Sequence, residues 1–156
     1  DGDVFEQCVE IAQRHRKKLF VSLHNSEVSE HDIDVLKNSN AELLFADNIE
    51  IKKVNVQDLV DKNIIVVVTK GKYGSVVYTK DCAYECPTHD LKSKDSTGAG
   101  DAFAAGFVYG YLKDWNMEKI CKFANAMGAL ATTAYGARTR RITLEEALNL
   151  IGENKC

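Results

Sequence analysis

Proline and long apolar runs are scarce in this 156-residue chain, and each scarcity excludes a class of protein. Pro87 is the single proline, and no Gly/Ser-rich or low-complexity tract forms a linker, so we expect one domain rather than several. No apolar run reaches the roughly 18 residues that a membrane span requires, which predicts no membrane partner. The net charge of −3 argues against a dedicated nucleic-acid-binding protein, so we expect no nucleic-acid partner either.

The five cysteines, at positions 8, 82, 86, 121 and 156, show no CxxC spacing, and no His or Cys cluster completes a zinc site around them. An odd number of cysteines without a metal pattern is typical of reduced thiols. The first residues, Asp1-Gly2-Asp3, lack the basic and apolar regions of a secretory signal. We therefore expect a cytoplasmic protein with free cysteines.

Helical and strand-like segments alternate along the chain. Residues 64–69 form an uninterrupted β-branched run, which is typical of a strand buried on both faces of a parallel sheet. Thr143 followed by Glu146 is a capping box and predicts the start of the last helix. The pattern predicts helices over residues 3–17, 32–36, 48–61, 99–113, 117–134 and 143–151. It predicts strands over residues 19–23, 42–45, 64–69, 75–79, 82–86 and 88–92.

This order of elements predicts an α/β fold with a mostly parallel sheet and antiparallel strands on one side. Ligands of such sheets bind beyond the carboxyl ends of the strands. The residues expected at that edge are Asp47, Thr69, Gly71 and the loop before residue 99.

The segment from Asp95 to Gly106 combines small residues with a carboxylate where a loop turns into a helix. Gly98, Ala99 and Gly100 leave their backbone amides open to a ligand, and the positive end of the helix dipole attracts an anion there. Asp101 lies inside that positive end, where its carboxylate could accept the proton of a substrate hydroxyl. An acid beside an anion hole is the arrangement that phosphoryl transfer to an alcohol requires.

The sequence does not match two other glycine-rich nucleotide-binding motifs. The dinucleotide fingerprint GxGxxG would need glycine where Phe103 stands, which argues against a nicotinamide-dependent oxidoreductase. The Walker pattern GxxxxGK[ST] is absent from the sequence. A glycine-rich helix start that only packs closely on a strand remains the alternative structural interpretation.

The full segment resembles the signature of the ribokinase-like (PfkB) family of carbohydrate and nucleoside kinases, D-[ST]-x-G-A-G-D-x-F-x-[AG]-G, and every signature position is present. Residues 44–50 are similar to the family's Asn-x-x-Glu segment, and residues 67–74 to its T-x-G-x-x-G turn. Residues 123–126 and 135–137 resemble its C-terminal helix and Gly-Ala loop. The resemblance covers nearly the whole chain and implies a ribokinase-like, three-layer αβα fold.

The resemblance implies ATP-dependent phosphorylation of a hydroxyl on a nucleoside or sugar, with Asp101 as the catalytic base. Three backbone amides would form the anion hole over the γ-phosphate: those of Gly98, Ala99 and Gly100. Four residues would border the nucleotide, the last of them near the adenine: Thr69, Gly71, Gly74 and Asn125. Thr69 and Gly71 also suit a plain turn, and Asn125 also suits a hydrogen-bonded core amide.

The resemblance also implies metal ions. Glu50 would help to hold Mg²⁺ through water, as hard cations at phosphates are often held. The family's Asn before this Glu aligns with Asp47, because the register through Asn48 would put Ile51, which cannot bind a metal, at the Glu position. Asp47 and Glu50 also suit a solvated helix start. K⁺ is a further implied cofactor, and four residues match its site: Asp95, the backbone of Thr97, and the carbonyls of Ala134 and Gly136.

Members of this family carry an N-terminal half with the lid and most contacts to the sugar or nucleoside. Residues 1–156 match the C-terminal, nucleotide-binding part, and the chain opens on a helix without an initial Met. We expect it to depend on the other half, because a sheet without its neighbouring strands exposes an edge and apolar surface.

The order of elements before residue 45 is more similar to adenosine-kinase-like members than to ribokinases. The implied partner is a small nucleoside or sugar, and a homodimer stays open. A catalytically silent nucleotide-binding homologue, favoured by Asp47, is the alternative function. Three arginines near the C-terminus are expected in a solvated loop, with a place near the phosphates as the alternative: Arg138, Arg140 and Arg141.

Overall fold

A computed structural model describes residues 3–23 and 28–153 of the chain. Helices and strands alternate along this part of the chain. The helices are α1 (Asp3–Arg14), α2 (Glu30–Lys37), α3 (Val56–Val60), α4 (Ala99–Leu112), α5 (Met117–Ala131) and α6 (Leu144–Leu150). The strands are β1 (Leu19–Ser22), β2 (Ala41–Asp47), β3 (Ile65–Thr69), β4 (Ser75–Tyr78) and β5 (Ala83–Cys86).

The strands are hydrogen-bonded neighbours in the order β1-β2-β3-β4-β5. Strands β1, β2 and β3 are parallel, and Asp47 at the end of β2 lies opposite Thr69 at the end of β3. Residues 70–74 and 79–82 are too short for the crossover that a parallel pair needs, so β3, β4 and β5 follow one another in antiparallel pairs. The predicted α/β fold, with a mostly parallel sheet and antiparallel strands on one side, is confirmed.

The chain divides into two compact units, one of residues 1–69 and 76–83 and the other of residues 70–75 and 84–156. In the first unit, fully buried side chains of β2, α3 and β3 form the core, including Leu44, Leu59 and Val66. In the second unit, buried residues of α5 and α6 cluster around Phe123 and Ala147. Each unit therefore has apolar packing of its own.

Two of the predicted elements differ from the structure. The segment 88–92 is not a strand: Leu91 is drawn into the apolar cluster of the second unit, and its N–H donates to the carbonyl of His89 at 3.0 Å. The helix predicted over 48–61 is two short pieces, a 3₁₀ turn over Glu50–Lys53 and then α3. It breaks because the Asn55 side chain accepts the amide of Gln57 at 3.1 Å and so caps a new helix.

Cys8, Cys82, Cys86 and Cys121 are free thiols, as the sequence predicts, whereas Cys156 lies outside the described residues. Burial raises the pKa of the Cys121 thiol to about 12, which keeps it protonated and unreactive. Among the described residues, no helix is both long enough and apolar enough to cross a membrane.

Candidate active site

Helix α4 begins behind Gly98, which has a φ of 78° and no side chain to cap the helix. A positive φ of this size favours glycine. A Cβ built on Gly98 would also lie 2.8 Å from the Cβ of Ala137. Backbone conformation and close packing therefore both require glycine at this position.

The amides at the start of α4 differ in what they bond. The N–H of Ala99 donates to the carbonyl of Ser96 at 3.1 Å. Within residues 3–23 and 28–153, the amides of Gly98, Gly100 and Asp101 have no hydrogen-bond acceptor. A helix start leaves such donors unpaired, and with the helix dipole they favour an anion.

Of the three amides predicted to form the anion hole, those of Gly98 and Gly100 are available to a ligand, whereas that of Ala99 already donates a hydrogen bond to Ser96. Ala99 would join the anion hole only by giving up its bond to Ser96. The sequence interpretation assigns no role to the amide of Asp101, which is equally available. Its place as the third residue of a helix is the signal that identifies it as a donor.

Space for an anion is open at Gly100. A Cβ built on Gly100 meets no heavy atom of the described residues within 4 Å, and its φ is not positive. The packing of the described residues therefore does not require glycine here. Unpaired amides beside open space fit a phosphate group.

Asp101 lies in the first turn of α4, and its side chain is exposed. The helix dipole stabilises a carboxylate at this position. The same helix buries Phe103 and Phe107, which anchors the opposite side of its first turns. A solvent-accessible carboxylate on an anchored helix start is suited to accept a proton from a bound hydroxyl.

Close contacts with α5 hold the start of α4 in place. A Cβ on Gly128 would lie 3.2 Å from the carbonyl oxygen of Ala99, and one on Gly106 would lie 2.8 Å from Cγ of Met127. The last glycine of the sequence motif therefore has a packing role. The alternative interpretation, a helix start that only packs closely on a strand, does not describe these glycines: Gly106 packs against α5, and Gly100 faces open space.

Asp95 connects the segment before α4 to the loop that contains Gly136. Its Oδ1 accepts the backbone N–H and the hydroxyl of Thr97, at 2.9 and 2.7 Å, and its Oδ2 accepts the N–H of Gly136 at 2.7 Å. The bonds from Thr97 and from the Gly136 amide hold the pKa of this carboxyl below its ordinary value of 3.8. Asp95 is therefore a charged clasp between two loops.

The structure brings together three of the four residues predicted for a monovalent cation: Asp95, Thr97 and Gly136. The carbonyl of Gly136 accepts the hydroxyl of Thr139 at 3.2 Å. Both oxygens of Asp95 already accept hydrogen bonds from the protein. A cation here would share these oxygens rather than find them unused.

The turn after β3 is held by its own backbone. The N–H of Lys70 donates to the carbonyl of Gly74 at 2.7 Å, and Gly71 and Gly74 have φ values of 56° and 91°. A Cβ on Gly74 would lie 2.0 Å from the carbonyl oxygen of Cys86. Gly74 is therefore required by a close backbone approach, and the role predicted for it beside a nucleotide stays a prediction.

Asn125 is a buried core amide. Its side chain is 4% exposed, and its Nδ2 donates to the Ser75 hydroxyl at 2.8 Å and to the Cys121 carbonyl at 3.0 Å. A longer bond of 3.4 Å reaches the carbonyl of Cys86. The structure thus shows Asn125 as a hydrogen-bonded core amide, and its predicted place near the adenine stays a prediction.

In the first unit, Asp47 and Glu50 close a tight turn at the end of β2. Oδ1 of Asp47 accepts the amides of Ile49 and Glu50 at 2.7 and 2.8 Å, and Oε2 of Glu50 accepts the amide of Asp47 at 2.8 Å. Thr69 lies opposite Asp47 in the sheet register, at the carboxyl edge. The predicted edge position of Asp47 and Thr69 is confirmed.

The pair of Asp47 and Glu50 offers carboxylate oxygens of the kind that Mg²⁺ prefers. No group of three or more His, Cys, Asp or Glu side chains that could hold a metal occurs among the described residues. Magnesium at phosphates is commonly held by one or two carboxylates together with phosphate oxygens and water. The two carboxylates thus fit an ion that binds with a nucleotide.

The mostly parallel sheet and the alternation of helices with strands define an α/β protein. The sequence profile of the pfkB family of carbohydrate kinases matches residues 4–144, and the chain belongs to this family. The family resemblance of the sequence is thereby confirmed.

Curated relatives agree with this assignment, and solved structures agree with the fold. An ATP-dependent ribose-1-phosphate kinase of Halopiger xanaduensis is 44% identical over 75 residues, 48% of this chain and 25% of that protein. A nucleoside kinase of Methanocaldococcus jannaschii is 28% identical over 130 residues, 79% of this chain and 42% of that protein. Its crystal structure aligns with a TM-score of 0.87, covering 99% of this chain and 54% of its own, at 24% identity.

A putative ribokinase II from E. coli, solved in complex with ATP and Mg²⁺, aligns with a TM-score of 0.78 at 18% identity. The alignment covers 96% of this chain and 53% of that one. At this identity the likeness shows the fold alone. The chain spans about half the length of the solved structures that it matches.

Proposed function

We propose that the protein containing this chain transfers the γ-phosphoryl group of ATP to a hydroxyl of a nucleoside or sugar. The observation that carries the proposal is the start of α4, where unpaired amides, open space at Gly100 and the exposed carboxylate of Asp101 occur together. The names of the relatives, a ribose-1-phosphate kinase and a nucleoside kinase, support this class of acceptor. Adenosine is the first acceptor to test, because an adenosine kinase from Sinorhizobium meliloti is among the structural neighbours.

In this proposal the amides of Gly98, Gly100 and Asp101 bind the anionic oxygens of the transferred group. The Asp101 carboxylate orients the acceptor hydroxyl and accepts its proton. ATP supplies the phosphoryl group, and Mg²⁺ offsets its negative charge when bound. Residues of the chain proposed to border the nucleotide or hold ions follow the family pattern: Thr69, Gly71 and Gly74 for the nucleotide, Asp47 and Glu50 for Mg²⁺, and Asp95, Thr97, Ala134 and Gly136 for K⁺.

The free cysteines fit a reducing compartment such as the cytoplasm.

Asp101→Asn tests the proposed base. Asparagine keeps the size of the side chain but cannot accept the proton, so kcat for the preferred acceptor is expected to fall roughly 10²–10⁴-fold. The measurement is steady-state turnover of the full-length protein on a panel of nucleosides and sugars with ATP and Mg²⁺. Asp114→Asn is the matched control, since Asp114 is exposed beyond the end of α4 at a φ of 54°, a conformation that asparagine tolerates.

Near-normal turnover of Asp101→Asn would contradict the assignment of the base. The alternative, a nucleotide-binding module without catalysis, predicts ATP binding by calorimetry without phosphorylated product on any acceptor. Asp47 alone gives no reason to prefer this module, because its Oδ1 accepts two amides as an asparagine oxygen would.

A further inference from the structure

The loop of residues 132–143, here called the α5–α6 loop, supports the segment that leads into α4. The carbonyl of Thr132 accepts the amides of Lys94 and Asp95 at 2.7 and 3.1 Å. Gly136 donates to Asp95, and Ala137 occupies the space that a Cβ on Gly98 would need. Together with the contacts of α4 to α5, the α5–α6 loop therefore positions the segment that leads into α4 and the amide of Gly98.

Arg140 ties this loop to the end of α5. Its Nη1 donates to the hydroxyl of Thr133 and, at 3.4 Å, to the carbonyl of Leu130. Leu130 belongs to the last turn of α5, and Thr133 lies two residues beyond the end of that helix. One end of the guanidinium thus holds the first residues of the loop against the helix from which the loop emerges.

The other end of the guanidinium reaches the start of α6. Nη2 of Arg140 donates to Oε1 of Glu146 at 2.7 Å, and Oε2 of the same carboxylate accepts the Thr143 amide at 3.1 Å. The Thr143 amide and the Arg140 guanidinium lower the pKa of Glu146, which keeps it charged. Because the guanidinium is planar with its donors in a fixed fork, it can set the separation of the two helix ends.

The neighbouring arginines differ from Arg140 in burial. The Arg140 side chain is 30% exposed and engaged on both sides, whereas Arg138 and Arg141 are classed as exposed along the same loop. The solvated position predicted for the three arginines is thus correct for Arg138 and Arg141 and wrong for Arg140. With its donors engaged by protein oxygens, Arg140 is also a poor candidate for a phosphate ligand.

We propose that Arg140 is a positioning residue for phosphoryl transfer, which holds the α5–α6 loop so that Asp95 and Gly98 place the anion-binding amides. Its effect on turnover rests on the proposed kinase function, whereas its effect on the loop does not. Arg140 acts through Thr133 and Glu146 rather than by touching a reacting group.

Arg140→Gln in the full-length protein tests the proposal, with Arg141→Gln as the matched control. Displacement of the amides is expected to lower kcat/KM for ATP on the order of 10- to 100-fold while leaving the KM of the acceptor unchanged. Hydrogen–deuterium exchange of the hydrogen-bonded amides within residues 94–100, those of Lys94, Asp95, Thr97 and Ala99, is expected to become faster in Arg140→Gln and not in Arg141→Gln. Arg140→Lys keeps the charge but not the two-sided fork, so an intermediate loss is expected.

Wild-type exchange of residues 94–100 in Arg140→Gln would overturn the proposal, whether or not the protein is a kinase. An active wild-type enzyme with equal kcat/KM in the Arg140→Gln and Arg141→Gln variants would overturn it as well. A wild-type protein that phosphorylates no acceptor would instead refute the proposed function, and the exchange measurement would still decide the role of Arg140. If Arg140→Gln fails to fold, two milder variants give the same two readouts. Arg140→Lys keeps the charge, and Thr133→Val removes the hydroxyl that accepts from Arg140 and donates to the carbonyl of Leu130.

Discussion

At the scale of single residues, Gly98 and Gly100 are glycines for different reasons. Gly98 combines a positive φ with a contact to Ala137, whereas Gly100 faces open space at an ordinary φ. The first is required by the fold of the chain. The second is required only if a ligand enters that space.

Gly100→Ala and Gly98→Ala are therefore expected to separate stability from activity. Gly100→Ala should leave the free energy of unfolding unchanged or raise it by up to about 1 kcal/mol, because alanine is the better helix former. It should lower kcat/KM roughly 10²-fold, because the methyl group occupies space proposed for phosphate oxygens. Gly98→Ala should destabilise the protein by at least about 1–2 kcal/mol, the usual cost of a left-handed residue.

Chemical denaturation and steady-state kinetics on the same preparations give both quantities. If Gly100→Ala keeps full activity, the transferred phosphate does not occupy the space beside Gly100. An unchanged unfolding free energy in Gly98→Ala would show that the α5–α6 loop yields to a methyl group.

The sequence motif predicts that these residues matter, but it cannot assign the reasons. The three glycines of the motif have different structural roles. Gly98 has a left-handed backbone conformation, Gly100 faces open space, and Gly106 contacts the neighbouring helix. Asn125 shows the same limit. Its burial and its bond to Ser75, fifty positions earlier in the chain, follow from tertiary packing that local periodicity does not record.

At the scale of elements, Asp95 joins two loops that are distant in sequence. Its carboxylate carries a lowered pKa because the charged form accepts the Thr97 and Gly136 bonds. A lowered folded-state pKa means that the stabilisation is complete above the unfolded value of 3.8. It is lost as the pH falls through the lower folded-state value.

Comparison of wild type with Asp95→Asn is expected to show this pH dependence. The variant keeps an acceptor for Thr97 but turns an amide donor toward the Gly136 N–H, so it should be less stable at pH 6. The difference in unfolding free energy should shrink as the pH falls below 3.8. Urea denaturation between pH 6 and 2 measures it, with exposed Asp90→Asn as the control for loss of charge. A difference that stays constant down to pH 2 would contradict the charged clasp.

Elements with strong local signals are the ones that the sequence predicts well. The capping box of Thr143 and Glu146 is present at the start of α6, and the β-branched run before Thr69 is β3. The strand predicted over residues 88–92 is wrong because Leu91 packs against residues far away in sequence, and the local pattern does not reveal where a side chain packs. Two predicted helices are longer than the observed ones: α1 ends at Arg14 and α5 at Ala131.

At the scale of the whole molecule, the first unit leaves apolar groups exposed. Val4 and Ile11, which share one side of α1 with the exposed Cys8, are 62% and 55% exposed, while Val9 is buried. Strand β1 stands first in the sheet order and pairs only with β2 among the described residues. Exposed apolar side chains and an open strand edge both favour association.

We therefore expect the 156-residue chain alone to self-associate, and the double substitution Val4→Ser and Ile11→Ser to reduce this association. Both side chains are already largely in water, so the unfolding free energy should change by less than about 0.5 kcal/mol. Sedimentation velocity over a range of concentrations measures the effect. Leu112→Ser, at a 52% exposed residue of the second unit, is the control. A monomeric wild-type chain with a cooperative melt would contradict the expectation.

The pairing of Asp47 with Thr69 has a consequence for how this chain can vary in length. Side chains alternate between the faces of a strand, so one residue gained or lost inside β3 would turn Thr69 to the other face and part it from Asp47. Insertions between the two strands, where short helical pieces and turns occupy residues 48–64, leave that register intact. The number of residues between Asp47 and Thr69 can therefore change during evolution, whereas their pairing across the sheet must be kept.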